Sequence, residues 1–237
     1  IFPAVHYSMG GMWVDINQMT NIPGIFAAGE CDYSQHGANR LGANSLLSAV
    51  YGGSVAGPKA IEYIEGLDKH SEDISSTLFD NYQKEEEEKF EAMLKMDGGE
   101  NAYQIHQELG EWMTDNVTVV RENAKLLKTD EKIQELQERW NNISINDTSR
   151  WSNQGVMFTR QLKNMLHLAR VITIGAYNRN ESRGAHYKPE FPERNDEEFL
   201  KTTIAEFDEK NQEPKLSYEE VDVSLIKPRK RDYTTKH

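Results

Sequence analysis

The chain has 237 residues, of which 27 are Lys or Arg and 39 are Asp or Glu, giving a net charge of −12. That acidic balance argues against general nucleic-acid binding, which needs a basic footprint, and no apolar run reaches the roughly 18 residues of a membrane span. The length allows one large domain or two modest ones. The single cysteine, Cys31, excludes an internal disulfide and fits a reducing compartment. It joins no metal-ligand cluster and reads as a small buried residue beside a loop.

The chain opens Ile1-Phe2-Pro3, with no initiating methionine and no visible signal peptide. About fifty residues of strand and loop character follow, too few to bury a core alone. The expectation is a C-terminal piece of a longer protein, cut within a domain. Met12-Trp13-Val14-Asp15-Ile16 reads as a short strand, Asn17 to Gly24 as a turn region, and Ile25 to Ala28 as a second strand ending at Gly29-Glu30. A strand followed by a loop and a helix places ligands at the strand's carboxyl end.

Asn44 to Ile64 reads as a helix with Asn44 as N-cap. Leu46, Leu47, Val50, Val55, Ala56, Ala60 and Ile61 form its apolar face. Gly52, Gly53 and Gly57 each weaken it by roughly 1 kcal/mol relative to alanine, which points to close backbone approach. Pro58 either kinks this helix or starts another. Gly66 to Ser76 reads as a linker. Asp80 to Leu94 is a helix whose Glu85–Glu88 run is a solvated face, and Asp97-Gly98-Gly99 ends it.

Three longer helical stripes follow. The first has Ile105, Leu109, Trp112, Met113 and Asn116, with Thr118 as cap for the next. The second has Leu126, Ile133, Leu136, Trp140 and Ile143. The third has Phe158, Leu162, Met165, Ala169, Ile172 and Ala176. With short connections they predict an antiparallel three-helix bundle, and their aromatics and methionines read as core. Tyr177 to Tyr187 is a polar loop; Lys188 to Pro192 reads as extended because of its prolines. Residues 195–226 read as a short helical or irregular stretch with a final strand around Tyr218 to Ile226. The basic run Lys227-Pro228-Arg229-Lys230-Arg231 is either a solvated tail or a docking contact for an acidic partner or membrane surface.

The fold class is therefore mainly α: the remnant of an α/β domain, then the bundle, then a short α+β tail. The expected divisions are 1–65, 66–100 (linker and helix), 101–180 (bundle) and 181–237.

Chemistry concentrates in two stretches. In Val5-His6-Tyr7-Ser8-Met9-Gly10-Gly11, His6 is a candidate anion donor, metal ligand or core histidine, and the paired glycines let backbone pass close to a ligand or turn sharply. In Glu30 to Leu47, Arg40 suits either a loop bridge or a two-point grip on a carboxylate. Glu30 is placed for a ribose or ribityl hydroxyl, or for a salt bridge. His36 reads as a loop brace. The helix start near Asn44 suits an anionic or electron-rich ligand edge. There is no G-x-G-x-x-G after a strand, no P-loop and no Cys/His cluster.

Taken together, His6-Tyr7-Ser8-Met9-Gly10-Gly11, Ile22-Pro23-Gly24-Ile25-Phe26-Ala27-Ala28-Gly29-Glu30 and His36-Gly37-Ala38-Asn39-Arg40-Leu41-Gly42-Ala43-Asn44-Ser45-Leu46 closely resemble the flavoprotein subunit of succinate dehydrogenase and fumarate reductase. Glu181-Ser182-Arg183-Gly184-Ala185-His186 followed by Phe191-Pro192 resembles that family's C-terminal region. Tyr-Ser after the histidine resembles the menaquinone-using enzymes of Gram-positive bacteria. The resemblance implies an FAD-dependent oxidoreductase that interconverts succinate and fumarate. It implies an iron–sulfur partner subunit and a membrane anchor subunit carrying electrons to quinone, and a cytoplasmic place at the inner face of the membrane through them. It implies that His6 and Arg40 bind the dicarboxylate, and that Glu30, Arg40, Ser45 and Leu46 meet FAD. The family's dinucleotide fingerprint, FAD-linking histidine and proton-transferring arginine belong upstream of Ile1. The expectation is therefore no catalytic residue and no metal ligand in this chain, no succinate oxidation by it alone, and FAD held weakly or not at all. Two alternatives stand beside this: L-aspartate oxidase, whose loop typically has Ala-Ser where this chain has Gly42-Ala43, and an interaction module docking the iron–sulfur subunit.

Overall fold

A computed structural model describes residues 6–33, 36–208 and 210–229. The Ile1-Phe2-Pro3 opening, Val5, Ser34, Gln35, Lys230 and Arg231 lie outside the described residues. Among the described residues six helices and one hairpin run in order: α1 (Asn44–Glu65), α2 (Ser76–Leu94), α3 (Ala102–Met113), α4 (Asn123–Trp140), α5 (Gln154–Asn178), α6 (Asp196–Phe199), β1 (Lys201–Asp208) and β2 (Glu213–Glu220).

The bundle is α3, α4 and α5, with α4 and α5 in the most extensive contact. Ile105, Leu109, Ile133, Leu136, Ile143, Leu162 and Leu166 form its buried centre, each contributing about 1.5–3 kcal/mol by leaving water. On α5 the buried stripe is Leu162, Leu166, Ala169, Thr173 and Ala176. Ile172, placed in the core from sequence, is half exposed. The buried Thr173 hydroxyl donates to the Ala169 carbonyl at 2.8 Å, so the polar group sits in the core with its partner beside it. Asn101 and Asn153 cap α3 and α5 by accepting first-turn amides. Thr118 does not cap α4. It closes a π turn, Thr114–Thr118, by donating back to the Thr114 carbonyl. The Asn123 amide at the start of α4 donates instead to Glu190, from far along the chain, at 2.7 Å.

The first segment is less regular than expected. The two predicted strands reduce to single pairings: Met12 with Asp32, Val14 with Thr20, and Met19 with Phe26. The Asp15 carboxylate accepts the amides of Asn17 and Met19, closing a turn straight after Val14 and cutting the extended run short. Helix α1 is continuous through Pro58. Its N-cap position is Ala43, in the left-handed region at φ 66°, whose side chain makes no capping hydrogen bond; Asn44 is already the first helical residue. Its packed face is also not the apolar one. Ser48 and Gly52 are buried, whereas Leu46, Leu47, Val50 and Ile61 are exposed. The reason is Gly52: a Cβ there would lie 3.1 Å from the Ala28 Cβ, so small residues make the contact. Gly53 and Gly57 have open space instead. Cys31 is exposed, because the 3-10 turn Gly29–Cys31 turns it outward and gives the buried place to Asp32.

At the C-terminal end, Lys188 to Phe191 is a tight turn, with the Phe191 amide donating to the Lys188 carbonyl at 2.9 Å. Pro189 occupies the turn position its fixed φ suits, so this stretch bends instead of extending. The final strand ends at Glu220, and it pairs antiparallel with β1 from Lys201 opposite Glu220 to Asp208 opposite Glu213.

Candidate functional site

The loop from His36 to Ala43 delivers Arg40 to the start of α1. One Arg40 nitrogen, Nη1, donates to the Leu41 carbonyl at 3.0 Å. The same carbonyl accepts the Asn44 amide at 3.2 Å, so one oxygen ties the guanidinium to the first residue of the helix. Nη2 lies 3.2 Å from Nδ1 of His6, which accepts and leaves the His6 Nε2 side free to donate. The guanidinium carbon stands 5.0 Å over the Tyr7 ring. The third nitrogen, Nε, is buried and has no partner among the described residues.

Behind the arginine the loop is braced as expected for His36. Its Nε2 lies 3.1 Å from Ser48 Oγ and 3.2 Å from the Tyr7 hydroxyl. Glu30 accepts the Ser8 amide at 3.0 Å, which fixes the His6–Gly11 segment against the 3-10 turn. Gly11 is needed for close approach: a Cβ there would come within 2.7 Å of the Cys31 carbonyl carbon. Gly10 has no such neighbour. Ser45 and Leu46 lie in the first turn of α1, where amides lack helical acceptors, and Leu46 is 77% exposed.

The structure thus brings His6, Arg40 and the α1 start together, with Glu30 one contact away through Ser8. The clefts of the bundle lie elsewhere. One of about 370 Å³ is lined by Glu111, Trp112, Asp115, Asn116, Lys125 and Lys128. No group of three His, Cys, Asp or Glu residues suited to a metal occurs among the described residues.

The polar loop after α5 forms a dense ionic frame. Glu181, fully buried, takes two bonds from Arg183, at 2.8 and 2.9 Å, and one from Arg179 at 2.7 Å. Burial opposes its charge, but these donors and the Asn195 amide prevail and hold its carboxyl below the usual range. His186 accepts from Arg121 on Nδ1 at 2.5 Å and bonds the Arg179 carbonyl through Nε2 at 2.9 Å. Burial, and then the neighbouring cations, push its pKa down to about 4. Lys188, fully buried, donates to the Tyr177 carbonyl and Asn180 Oδ1, and burial pulls it down to about 8.

Residues 106–233 match the family described as "Fumarate reductase flavoprotein C-term", which is more than half of the chain. The chain belongs to that family. Residues 1–46 match the FAD binding domain family, and they include His6, Glu30, Arg40, Ser45 and Leu46. Over 236 residues the chain is 70% identical to the succinate dehydrogenase flavoprotein subunit of Bacillus subtilis, covering all of this chain and 40% of the relative. It is 39% identical to the fumarate reductase flavoprotein subunit of Haemophilus influenzae, covering 98% of this chain and 38% of the relative. A solved quinol fumarate reductase of Escherichia coli superposes with a TM-score of 0.88 at 36% identity, covering 95% of this chain and 38% of that one. The chain thus spans about 40% of the length of the relatives it matches.

Sequence reasoning passed over Tyr7, which lies under the arginine, and Ser48, which holds His36. It also left Gly184 and Ala185 without a role. The Ala185 amide donates to the Ala38 carbonyl at 2.9 Å, inside the arginine loop. Motif position hinted at Tyr7, between His6 and Ser8. Nothing in local pattern joins residue 185 to residue 38.

Proposed function

We propose that this chain is the C-terminal part of a succinate dehydrogenase flavoprotein subunit, which oxidises succinate to fumarate with FAD and passes the electrons through an iron–sulfur subunit and a membrane anchor subunit to quinone. The observation that carries this is the Arg40–His6 pair at the start of α1, with a buried Arg40 Nε that has no partner among the described residues. A buried donor without an acceptor is costly, and a substrate carboxylate is the acceptor that fits a guanidinium fork. FAD, when bound, supplies the hydride acceptor.

The chain's own residues do the holding. Arg40 and His6 grip one carboxylate and fix the orientation of the carbons between the two acid groups. The first-turn amides of Ser45 and Leu46 present the positive end of α1 to the electron-rich edge of the flavin, where a helix N-terminus stabilises negative charge. Glu30 stands by the ribityl or ribose hydroxyls with the oxygen that Ser8 does not use. No residue of this chain is assigned the proton transfer.

In this reading residues 1–65 complete an FAD-binding domain, 66–100 link it to the bundle of 101–180, and 181–237 close the C-terminal side. The exposed Leu46, Leu47, Val50 and Ile61 of α1 pack against the remainder of that domain. By itself the chain holds FAD weakly or not at all and does not turn over succinate. No helix among the described residues is long and apolar enough to cross a membrane; in this reading the membrane is reached through partner subunits.

The test is dye reduction by the intact flavoprotein with succinate and, separately, with aspartate. Turnover of succinate is expected. Turnover of aspartate alone would assign the chain to the oxidase relatives, and turnover of neither would sink the proposal. Succinate-dependent reduction by the 237-residue chain on its own would overturn the division of labour.

A further inference from the structure

Three alternate residues of the arginine loop are tied to three different parts of the chain. His36 is held by Ser48 on α1. Arg40 is held at His6. Between them, the Ala38 carbonyl accepts the Ala185 amide at 2.9 Å, and this tie reaches into the C-terminal segment. The contact is close enough to dictate the residue type beside it. Gly184 sits in the left-handed region at φ 58°, where side chains are strained. A Cβ there would also collide with the Ala38 carbonyl oxygen and lie 2.6 Å from its carbon.

The turn that presents Gly184 and Ala185 is rigid. Arg183 and His186 bond each other through both backbone amides, at 2.8 and 3.0 Å, and close it. Arg183 is locked to Glu181 by two bonds and to Asp196 at 2.7 Å. His186 is wedged between Arg121 and the Arg179 carbonyl. A second tie keeps the C-terminal segment in place: Glu219 accepts from Trp13 at 3.2 Å and from Tyr33 at 3.0 Å.

We propose that the Gly184–Ala185 turn is a positioning element for the substrate arginine. It sets the height of the loop at Ala38, two residues before Arg40, and with it the reach of the guanidinium toward the dicarboxylate. This rests on the reading of Arg40 as the carboxylate ligand. The ionic frame around Glu181 is then the mount that holds the turn still. A misplacement of about 1 Å by a change remote from the chemistry can cost roughly a hundredfold, so a rigid mount has a use here.

The test uses the intact flavoprotein with malonate, a dicarboxylate that does not react, as the probe. For Gly184→Ala, malonate affinity is expected to fall by roughly tenfold or more, and KM for succinate to rise in step, with flavin absorbance per protein unchanged. An affinity loss matched by an equal loss of flavin would mark general disruption and overturn the proposal, as would wild-type affinity in the variant. Should Gly184→Ala not fold, Arg183→Lys is read in its place. It trades the two-point grip on Glu181 for a single ammonium, and about a threefold loss of malonate affinity is expected. Unchanged affinity in folded Arg183→Lys overturns the proposal. Wild-type protein that neither binds malonate nor turns over succinate would instead refute the assignment of Arg40, which separates the two failures.

Discussion

Arg40 and His6 are separated by 34 positions, yet Nη2 of one lies 3.2 Å from Nδ1 of the other. Holding them costs a loop tied at Ser48, Ala38 and Leu41 and a tyrosine ring under the guanidinium. That investment is out of scale for a surface hydrogen bond between two side chains. Arg40→Lys keeps the charge but loses the fork, the Leu41 bond geometry and the stacking on Tyr7. In the intact flavoprotein, kcat/KM for succinate per bound flavin is expected to fall by roughly a hundredfold or more, an effect of about 3 kcal/mol. Steady-state kinetics and the flavin spectrum check it. Near-wild-type kcat/KM would mean that Arg40 does not grip substrate.

The paired glycines beside His6 separate cleanly into one that packs and one that does not. Gly11 has no room for a Cβ against the Cys31 backbone, whereas Gly10 has nothing near it. Gly11→Ala should therefore displace the Met12–Cys31 hydrogen bond, 2.7 Å long, and destabilise the first segment by about 1–3 kcal/mol. Gly10→Ala should stay within about 0.5 kcal/mol of the parent. Thermal unfolding of the two variants side by side decides it, and equal effects would contradict the packing argument.

The bundle was readable because its signal is periodic and local. Ile105, Leu109, Ile133, Leu136 and Leu162 recur at three- and four-residue steps, and burial follows from that spacing. Ile172 misled because α5 has a second apolar edge, and period alone does not say which edge faces α4. The α1 face misled for a different reason. Its large apolar residues are exposed among the described residues, while the contact made here is between glycine and alanine. At the site, His6 and Arg40 came from motif identity. Their meeting, the Ser48 brace and the Ala185–Ala38 bond join distant residues and leave no periodic trace. The Lys188 turn was missed because a proline read as an extender also suits the second position of a tight turn.

Arg139 predicts a measurable acid response of the bundle. It makes two bonds to Glu100, both at 3.0 Å, and two to Glu108, at 2.8 and 3.0 Å. The Arg139 bonds, with Lys132 assisting, hold the Glu108 carboxyl at about 2. The folded value is depressed, so this stabilisation is present above the unfolded value of 4.5 and is lost as pH falls toward 2. The Glu108 side chain is about one-third exposed, so screening reduces the effect to about 1 kcal/mol. Arg139→Met should lower stability at neutral pH by that order and flatten the loss between the two values. Urea unfolding across that range checks it; a slope unchanged by the substitution would assign the acid response to other groups.

His186 predicts a second response in a separate window. Its two bonds fit the neutral ring with the proton on Nε2: Nδ1 accepts from Arg121 and Nε2–H donates to the Arg179 carbonyl. A second proton would go to Nδ1, facing a guanidinium, in a site where burial already disfavours charge. Folded His186 therefore titrates at about 4, against 6.5 unfolded. Between those values the unfolded chain binds the proton and the folded chain does not, so stability is full above 6.5 and falls as pH drops toward 4. The loss reaches about 3 kcal/mol at the lower end. His186→Gln removes the titrating group while keeping a donor and an acceptor. It should cost about 1 kcal/mol at neutral pH and flatten the slope above the carboxylate window, leaving the part due to His167, which burial also lowers. Unfolding of wild type and variant at closely spaced pH values reads this directly. Parallel curves for the two proteins would show that His186 is not the group being titrated.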